Sequence, residues 1–265
     1  MAAGWVAWSA ACGGARADQP LHRLDSNGHP LDILLKAADD AVVSYVEIDP
    51  RRHRLDVALS AAPGDGSTLR EFLTTAGAAV AFTGGYLRSF APPAPTGYLL
   101  VDGAELNPIV RDDPVVNAVL CFGRDPSVLT AVRLVPARKF RRRETDEDCV
   151  QAGPLLIDRG EAVYDLRRKD RLNRLAGEFE RAFLGIDRRN SIILGVSSRT
   201  SLQRIRDLLL ASREAGGLAM RSAVILTGAT TAGMEVGGGL GYSFGTTSTP
   251  LPNAILVDAP PRPAQ

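Results

Sequence analysis

Two short segments of this chain carry residue types that can hold an anion. Thr83-Gly84-Gly85-Tyr86 follows the apolar run AAVAF, and Thr227-Gly228-Ala229-Thr230-Thr231 follows SAVIL. Adjacent glycines let backbone N–H groups approach a phosphate closely, and threonine hydroxyls add donors that rotate to suit. Both loops read as holders of phosphate or sugar hydroxyls, although either alone is also ordinary turn chemistry. Gly237-Gly238-Gly239 with Gly241 has the composition of a phosphate loop. It lacks the Lys-Ser/Thr and the helix that such a loop opens, so it reads as a glycine-rich loop near a site or a tight β connection. Among carboxylates, Glu235 lies between the threonine loop and the glycine run and is the acid/base candidate. Asp102 and Glu105 flank a turn, and Asp258 reads as a terminal charge. No G-x-S-x-G elbow is present. His22, His29 and His53 all fall early in the chain, with His29 and His53 read as surface residues, which argues against histidine-dependent hydrolysis.

These loops need strands to position them. VVSYVEI at 42–48 ends at the Asp49-Pro50 turn signal, and 55–59 reads as its hairpin partner. Thr68 and Glu71 form a capping box for a short helix that Gly77 ends. SFAPPAPTG carries three prolines and is read as irregular, whereas VDGAEL reads as strand, Asp-Gly turn and strand. AVLCF, VLTAVRLV, LLI, SIILGVS, SAVIL and NAILV are further strands. Residues 166–184 are read as helical or partly irregular, and Ser201 caps a helix that runs to Gly216. Short strands dominate and no βαβ rhythm repeats. The expected class is α+β, with a mixed or antiparallel sheet.

Composition narrows the function classes. The 265 residues include 45% hydrophobic and 23% charged residues, and the formal charge is +1, which fits a globular chain and no broad nucleic-acid footprint. Two basic clusters, one at Lys139, Arg141, Arg142 and Arg143 and one spanning Arg167 to Arg174, read as solvated faces or as a rim drawing an anionic substrate. With 3 His and 3 Cys, a Cys/His zinc cluster is nearly excluded. Cys121 and Cys149 are compatible with free thiols or a bridge. The expected organisation is a signal or irregular segment over 1–19 and one domain over 20–265. The apolar start ending in Ala15-Arg16-Ala17 looks like a secretion signal without a basic n-region, and is too short to span a bilayer. Export implies a bacterial envelope glycan as substrate, and a cytoplasmic location implies small-molecule metabolism.

In order and spacing, several blocks resemble the phosphodiester glycosidase family over roughly residues 42–258. They are SYVEIDPRRHRLDVAL, AVAFTGGYL, Thr96-Gly97, VDGAEL, Gln151-Ala152-Gly153-Pro154, Arg189 ahead of SIILGV, the 227–231 loop and Pro252-Asn253-Ala254. The resemblance implies a phosphodiester-glycosidase-like fold and a hydrolase acting on a phosphate-linked or anionic carbohydrate. It implies substrate contacts from Thr83, Gly84, Gly85, Tyr86, Gln151, Gly228, Thr230, Thr231 and Asn253. The catalytic group it suggests is Arg189 balancing phosphate charge, Glu235 as acid or base, and Thr227. Thr83 stands where the family has asparagine, Thr227 where it has aspartate, and Ala229 where it has a second glycine. A threonine cannot serve as a carboxylate acid, base or strong metal ligand. The alternatives are therefore a biosynthetic enzyme with rebuilt chemistry or a carbohydrate-binding protein without catalysis. No cofactor is expected, a divalent metal is not indicated, and the partner is a small molecule or glycan. Nucleic acid and a membrane span are not expected.

Overall fold

The computed structural model describes residues 18–38, 41–61, 64–123, 132–143, 147–163 and 177–260. The apolar run before Asp18 and the basic cluster Arg167, Arg168, Lys169, Arg171 and Arg174 lie outside the described residues. From the amino terminus, the strands are Gln19–Ser26 (β1), His29–Ala38 (β2), Ala41–Ile48 (β3) and Leu55–Leu59 (β4). After helix Leu69–Ala76 (α1) come Val80–Thr83 (β5), Leu87–Phe90 (β6), Pro93–Pro95 (β7), Leu99–Val101 (β8) and Ala104–Asn107 (β9). The middle of the chain supplies Ala118–Gly123 (β10), Val132–Pro136 (β11), Glu147–Ala152 (β12), Leu155–Asp158 (β13) and Glu161–Ala162 (β14). Then follow Phe179–Asp187 (β15), Ile192–Thr200 (β16), helix Leu202–Leu210 (α2), Met220–Gly228 (β17), Gly233–Val236 (β18), Ser243–Gly245 (β19) and Asn253–Val257 (β20).

The strands form an eight-stranded sheet in the order β1-β2-β3-β16-β15-β17-β13-β14 and two five-stranded sheets, β11-β10-β12-β8-β9 and β19-β18-β5-β20-β4. Every pairing among these described strands is antiparallel. The architecture is thus the α+β class with antiparallel sheets and short helices. All three sheets contribute to one apolar core, which includes Ile33, Val46, Phe82, Leu120, Leu184, Leu194, Met234 and Ile255. Full burial of side chains of this size contributes about 1.5–3 kcal/mol each. The outer face of the eight-stranded sheet is buried by α2 through Leu202, Ile205 and Leu209, which pack with Tyr45, Phe183 and Ile225. Because the middles of β15, β16 and β17 are covered on both faces, residues 182–186, 192–196 and 223–226 are unbroken apolar runs instead of alternating.

Local chemistry sets several boundaries. The Thr68–Glu71 capping box is present, and Gly77 ends α1 with φ 63°. Asp102 and Gly103 both take positive φ, which builds the tight turn between β8 and β9. Cys121 and Cys149, directly opposite each other in β10 and β12, form a disulfide.

Five expectations need correction. Helix α2 stops at Leu210, well short of Gly216. Past it, the Ser212 hydroxyl accepts from the Ala215 N–H, and Arg213 turns toward Glu47 and Asp187. The end of the 166–184 stretch, read as helical or partly irregular, falls in strand β15, which runs Phe179–Asp187. β4 is not the hairpin partner of β3: β3 pairs with β2 and β16, and β4 pairs with β20. The proline-rich segment holds a small ribbon of β6 and β7, which is possible because its prolines sit in an isolated two-stranded edge. Finally, His53 is buried and Asp258 is no loose terminal charge. The His53 Nδ1 lies 2.6 Å from Asp258 Oδ2, and the Arg54 N–H donates to Asp258 Oδ1 at 2.7 Å.

Candidate functional site

The loop after β5 and the loop after β17 meet. Thr83 donates from its hydroxyl to the Thr231 carbonyl at 2.6 Å and accepts from the Gly233 N–H at 3.0 Å. The hydroxyls of Thr227 and Thr231 lie 2.6 Å apart, and Thr231 Oγ1 donates to the Gly228 carbonyl at 3.0 Å. All three threonines are buried. Their hydroxyls therefore latch one loop to the other and spend their hydrogen-bonding capacity inside the fold.

The glycines allow close approach. A Cβ on Gly84 would stand 2.1 Å from Asn253 Nδ2 and 2.7 Å from the Asn253 carbonyl, so the first residue of β20 is packed directly onto this loop. Gly85 takes φ +155°, and a Cβ there would be 3.4 Å from the Gln151 carbonyl. Gly228 is extended, and the residue that needs the left-handed region is Ala229, at φ 55°. A glycine would sit there without the roughly 1–2 kcal/mol steric cost that an L side chain carries. Thr230 is exposed at the loop's outer turn, its carbonyl accepting from Thr249 Oγ1 at 2.5 Å.

Gln151 braces this arrangement from behind. Its Oε1 accepts from the N–H groups of Tyr98 (2.8 Å) and Val110 (3.0 Å), and its Nε2 donates to the carbonyls of Val110 and Val116. A side-chain amide has two donors and two acceptor sites, and this network uses all four. Tyr86 packs against the apolar layer under α2.

The structure thus brings together Thr83, Gly84, Gly85, Tyr86, Gln151, Thr227, Gly228, Thr231 and Asn253. It does not bring Arg189 or Glu235 to them. Arg189 lies in the exposed turn between β15 and β16. The register pairs Ala182 with Thr227 but Asp187 with Met220, so that turn is at the far end of the sheet, roughly 17 Å or more along the strand. Glu235 is turned toward α1, where Arg70 donates to its Oε1 from Nε (3.0 Å) and Nη2 (2.8 Å).

Two residues on β15 stand where those two were expected. Arg181 pairs in register with Gly228 and is only 1% exposed. It donates from Nε to the Thr200 carbonyl at 3.1 Å and from Nη2 to the Gly177 carbonyl at 3.0 Å. Burial pushes its guanidinium below the ordinary arginine range, and the nearby Tyr86 opposes that shift. Glu180 is half-buried beside the loop. Its Oε2 accepts from Thr246 Oγ1 at 3.1 Å, and its carbonyl would be 3.2 Å from a Cβ on Gly228. Glu180 and Ala182 are two apart on β15 and share a face, and Ala182 pairs with Thr227, so Glu180 sits one register step from the threonine latch.

The phosphodiester glycosidase family model matches residues 76–258, more than half of the sequence. The chain belongs to the phosphodiester glycosidase family. No curated protein matches it. Among solved structures it is similar to the catalytic domain of zebrafish N-acetylglucosamine-1-phosphodiester alpha-N-acetylglucosaminidase auto-inhibited by its pro-peptide. That likeness has 14% identity and a TM-score of 0.58, and covers 94% of this chain and 86% of that one. A putative exported protein from Burkholderia pseudomallei is similar at 12% identity and a TM-score of 0.61, over 88% of this chain and 75% of that one. A hypothetical protein from Synechocystis is similar at 15% identity and a TM-score of 0.55, over 86% of this chain and 61% of that longer one. At these identities the likeness is one of fold. In this phosphodiester glycosidase family member the loops that carried the sequence resemblance are latched by threonine hydroxyls.

Among the described residues, one group of three has the spacing of a metal cluster: Cys121, Glu147 and Cys149. The two sulfurs are joined and Arg133 pairs with the carboxylate, so the group is already occupied by its own chemistry. No helix among the described residues is long and apolar enough to cross a membrane.

Proposed function

We propose that this protein hydrolyses the bond between a sugar and a phosphate in a phosphate-linked carbohydrate, at the mouth of the 83–86 and 227–231 loops. The observation that supports this reading best is the half-buried Glu180 carboxylate beside the loop that the three threonines hold in place. A sugar phosphodiester has a phosphate as its leaving group, already anionic and stable, so its departure needs little protonation. One carboxylate acting as a general base on water then suffices, where an ordinary glycoside needs an acid as well. In the proposed step Glu180 takes a proton from water, the water oxygen bonds to the sugar's anomeric carbon, and the carbon–oxygen bond to phosphate breaks with its electron pair on phosphate. The exposed Thr230 and the backbone of Gly228 and Ala229 bind the phosphate. Arg181 holds the Gly177 and Thr200 segments against the loop and is a positioning residue.

A second reading, binding without hydrolysis, is favoured by the buried, internally bonded hydroxyl at Thr227, the position where family members carry an aspartate. One experiment separates the two. Incubation with an N-acetylglucosamine-1-phosphodiester, with free N-acetylglucosamine measured, gives release by the wild type and a loss of about 100-fold or more in Glu180→Gln. Binding of that compound without release supports the second reading.

A further inference from the structure

Glu180 stands at a break in its own sheet. Phe179 pairs with Thr200 of β16, but Arg181 pairs with Ser197, so the ladder on that side is irregular at the residue between them. Breaks of this kind re-aim a side chain and take away the regular cross-strand neighbours that would hold it. Another contact has to set the direction of this carboxylate. Among the described residues that contact is the Thr246 hydroxyl, which donates to Glu180 Oε2 at 3.1 Å. Glu180 Oε1 has no donor among the described residues, and it is not one of the polar atoms that the fold closes off from solvent. The two oxygens of one carboxylate are therefore placed differently: Oε2 is held, and Oε1 is open to a water.

Thr246 is itself held by its backbone. Gly233 of β18 pairs with Gly245 of β19, and both positions exclude a side chain. A Cβ on Gly233 would stand 2.1 Å from the Thr246 carbonyl, and one on Gly245 would stand 2.3 Å from the Ala232 carbonyl. The Thr246 N–H donates to that same Ala232 carbonyl at 2.8 Å. The Gly233 N–H in turn donates to Thr83 Oγ1. The hydroxyl that reaches Glu180 is thus carried on a segment pressed against the threonine latch. Main-chain contacts set its place, and a change of the Thr246 side chain leaves them intact. Thr249, three residues on, spends its hydroxyl on the Thr230 carbonyl instead.

We infer that Thr246 is a positioning residue for the proposed reaction, fixing Glu180 through Oε2 so that Oε1 faces the attacking water. This rests on the reading of Glu180 as the general base. The water proton goes to Oε1, the water oxygen bonds to the anomeric carbon, and the sugar–phosphate bond breaks with its electron pair on phosphate. The test measures sugar release from an N-acetylglucosamine-1-phosphodiester by the wild type, Thr246→Val and Thr246→Ser, with crystal structures of the wild type and the valine variant. Valine keeps the shape and removes the donor; serine keeps the donor. Thr246→Val is expected to lower kcat about ten-fold with KM within about two-fold of wild type. Thr246→Ser recovers most of that loss, both variants melt near the wild-type temperature, and Glu180 takes a displaced or second side-chain conformation in Thr246→Val. Wild-type kcat in the valine variant, equal losses in both variants, or a loss confined to KM overturns the inference. No release by the wild type instead defeats the reaction assigned to Glu180, and the crystal structures then decide the positioning: an unchanged Glu180 conformation in Thr246→Val overturns it, and a displaced one supports it.

Discussion

Two glycine-bearing regions lie within a few residues of each other along β18 and have opposite characters. At 227–233 the chain has only two glycines and holds its shape with side-chain hydroxyls: Thr227 to Thr231, and Thr83 to the backbone of Thr231 and Gly233. At 235–241 it has four glycines, three of them with positive φ, and an open cleft against α1. The first is a packed latch, in which both glycines are glycines because a neighbour touches them: a Cβ would stand 3.2 Å from the Glu180 carbonyl at Gly228 and 2.1 Å from the Thr246 carbonyl at Gly233. The second opens outward: Gly237 and Gly238 still touch Ala78 and Leu24, but a Cβ on Gly239 or Gly241 would meet nothing within 4 Å, so those two serve conformation alone. Glycine content by itself does not distinguish the two; what an added Cβ would meet does.

The sharpest way to break this contrast is one substitution made in both regions. Gly233→Ala puts a methyl into the Thr246 carbonyl and is expected to destabilise by about 3 kcal/mol, read as a shift in the denaturation midpoint. Gly239→Ala meets no neighbour and is expected to cost only the left-handed strain, about 1 kcal/mol. Equal losses at the two positions contradict the distinction. Next in size is Thr227→Val, which keeps the shape and removes the hydroxyl shared with Thr231. It is expected to cost about 1–2 kcal/mol because Thr231 Oγ1 loses a buried partner. Ala229→Gly runs the other way: relief at φ 55° is expected to stabilise by about 1 kcal/mol, visible as a higher melting temperature.

The smallest effect is the response to acid, and it belongs to neither region. The Arg23 guanidinium holds Asp32 below the usual carboxylate range, and backbone N–H groups do the same for Asp49 and Glu71. A depressed folded value means protons bind the unfolded chain more readily. The stability these groups contribute is therefore present above the ordinary carboxylate range and is lost as pH falls through it. All three are near the surface, so a shallow decline below about pH 4 is expected in a thermal-melt series. A steep loss there would contradict the assignment of the acid response to these three surface groups.

Much of this was legible in the sequence. Thr83-Gly84-Gly85 and Thr227-Gly228 follow apolar runs, so their place at strand ends could be read directly, and the Thr68–Glu71 box fixed the start of α1. What escaped did so for physical reasons. Glu180 and Arg181 were hidden because β15 is buried on both faces and lacks the two-residue alternation that marks a half-exposed strand. Arg189 was misplaced because an antiparallel hairpin carries the turn between β15 and β16 to the end of the sheet away from Thr227, and only the register reveals which end that is. The burial of His53 depends on Asp258, 205 residues away, a pairing no local window contains. The early stop of α2 reflects the pull of Arg213 toward Glu47 and Asp187, again a tertiary cause.

The most direct measurement is a crystal structure of the protein soaked with a non-hydrolysable N-acetylglucosamine-1-phosphodiester analogue. The expected density lies over the 227–231 loop, with the phosphate at Thr230 and the backbone of Gly228 and Ala229, and the anomeric carbon facing Glu180. Density elsewhere, or none at a concentration that saturates binding in solution, contradicts the placement of the reaction at the threonine latch.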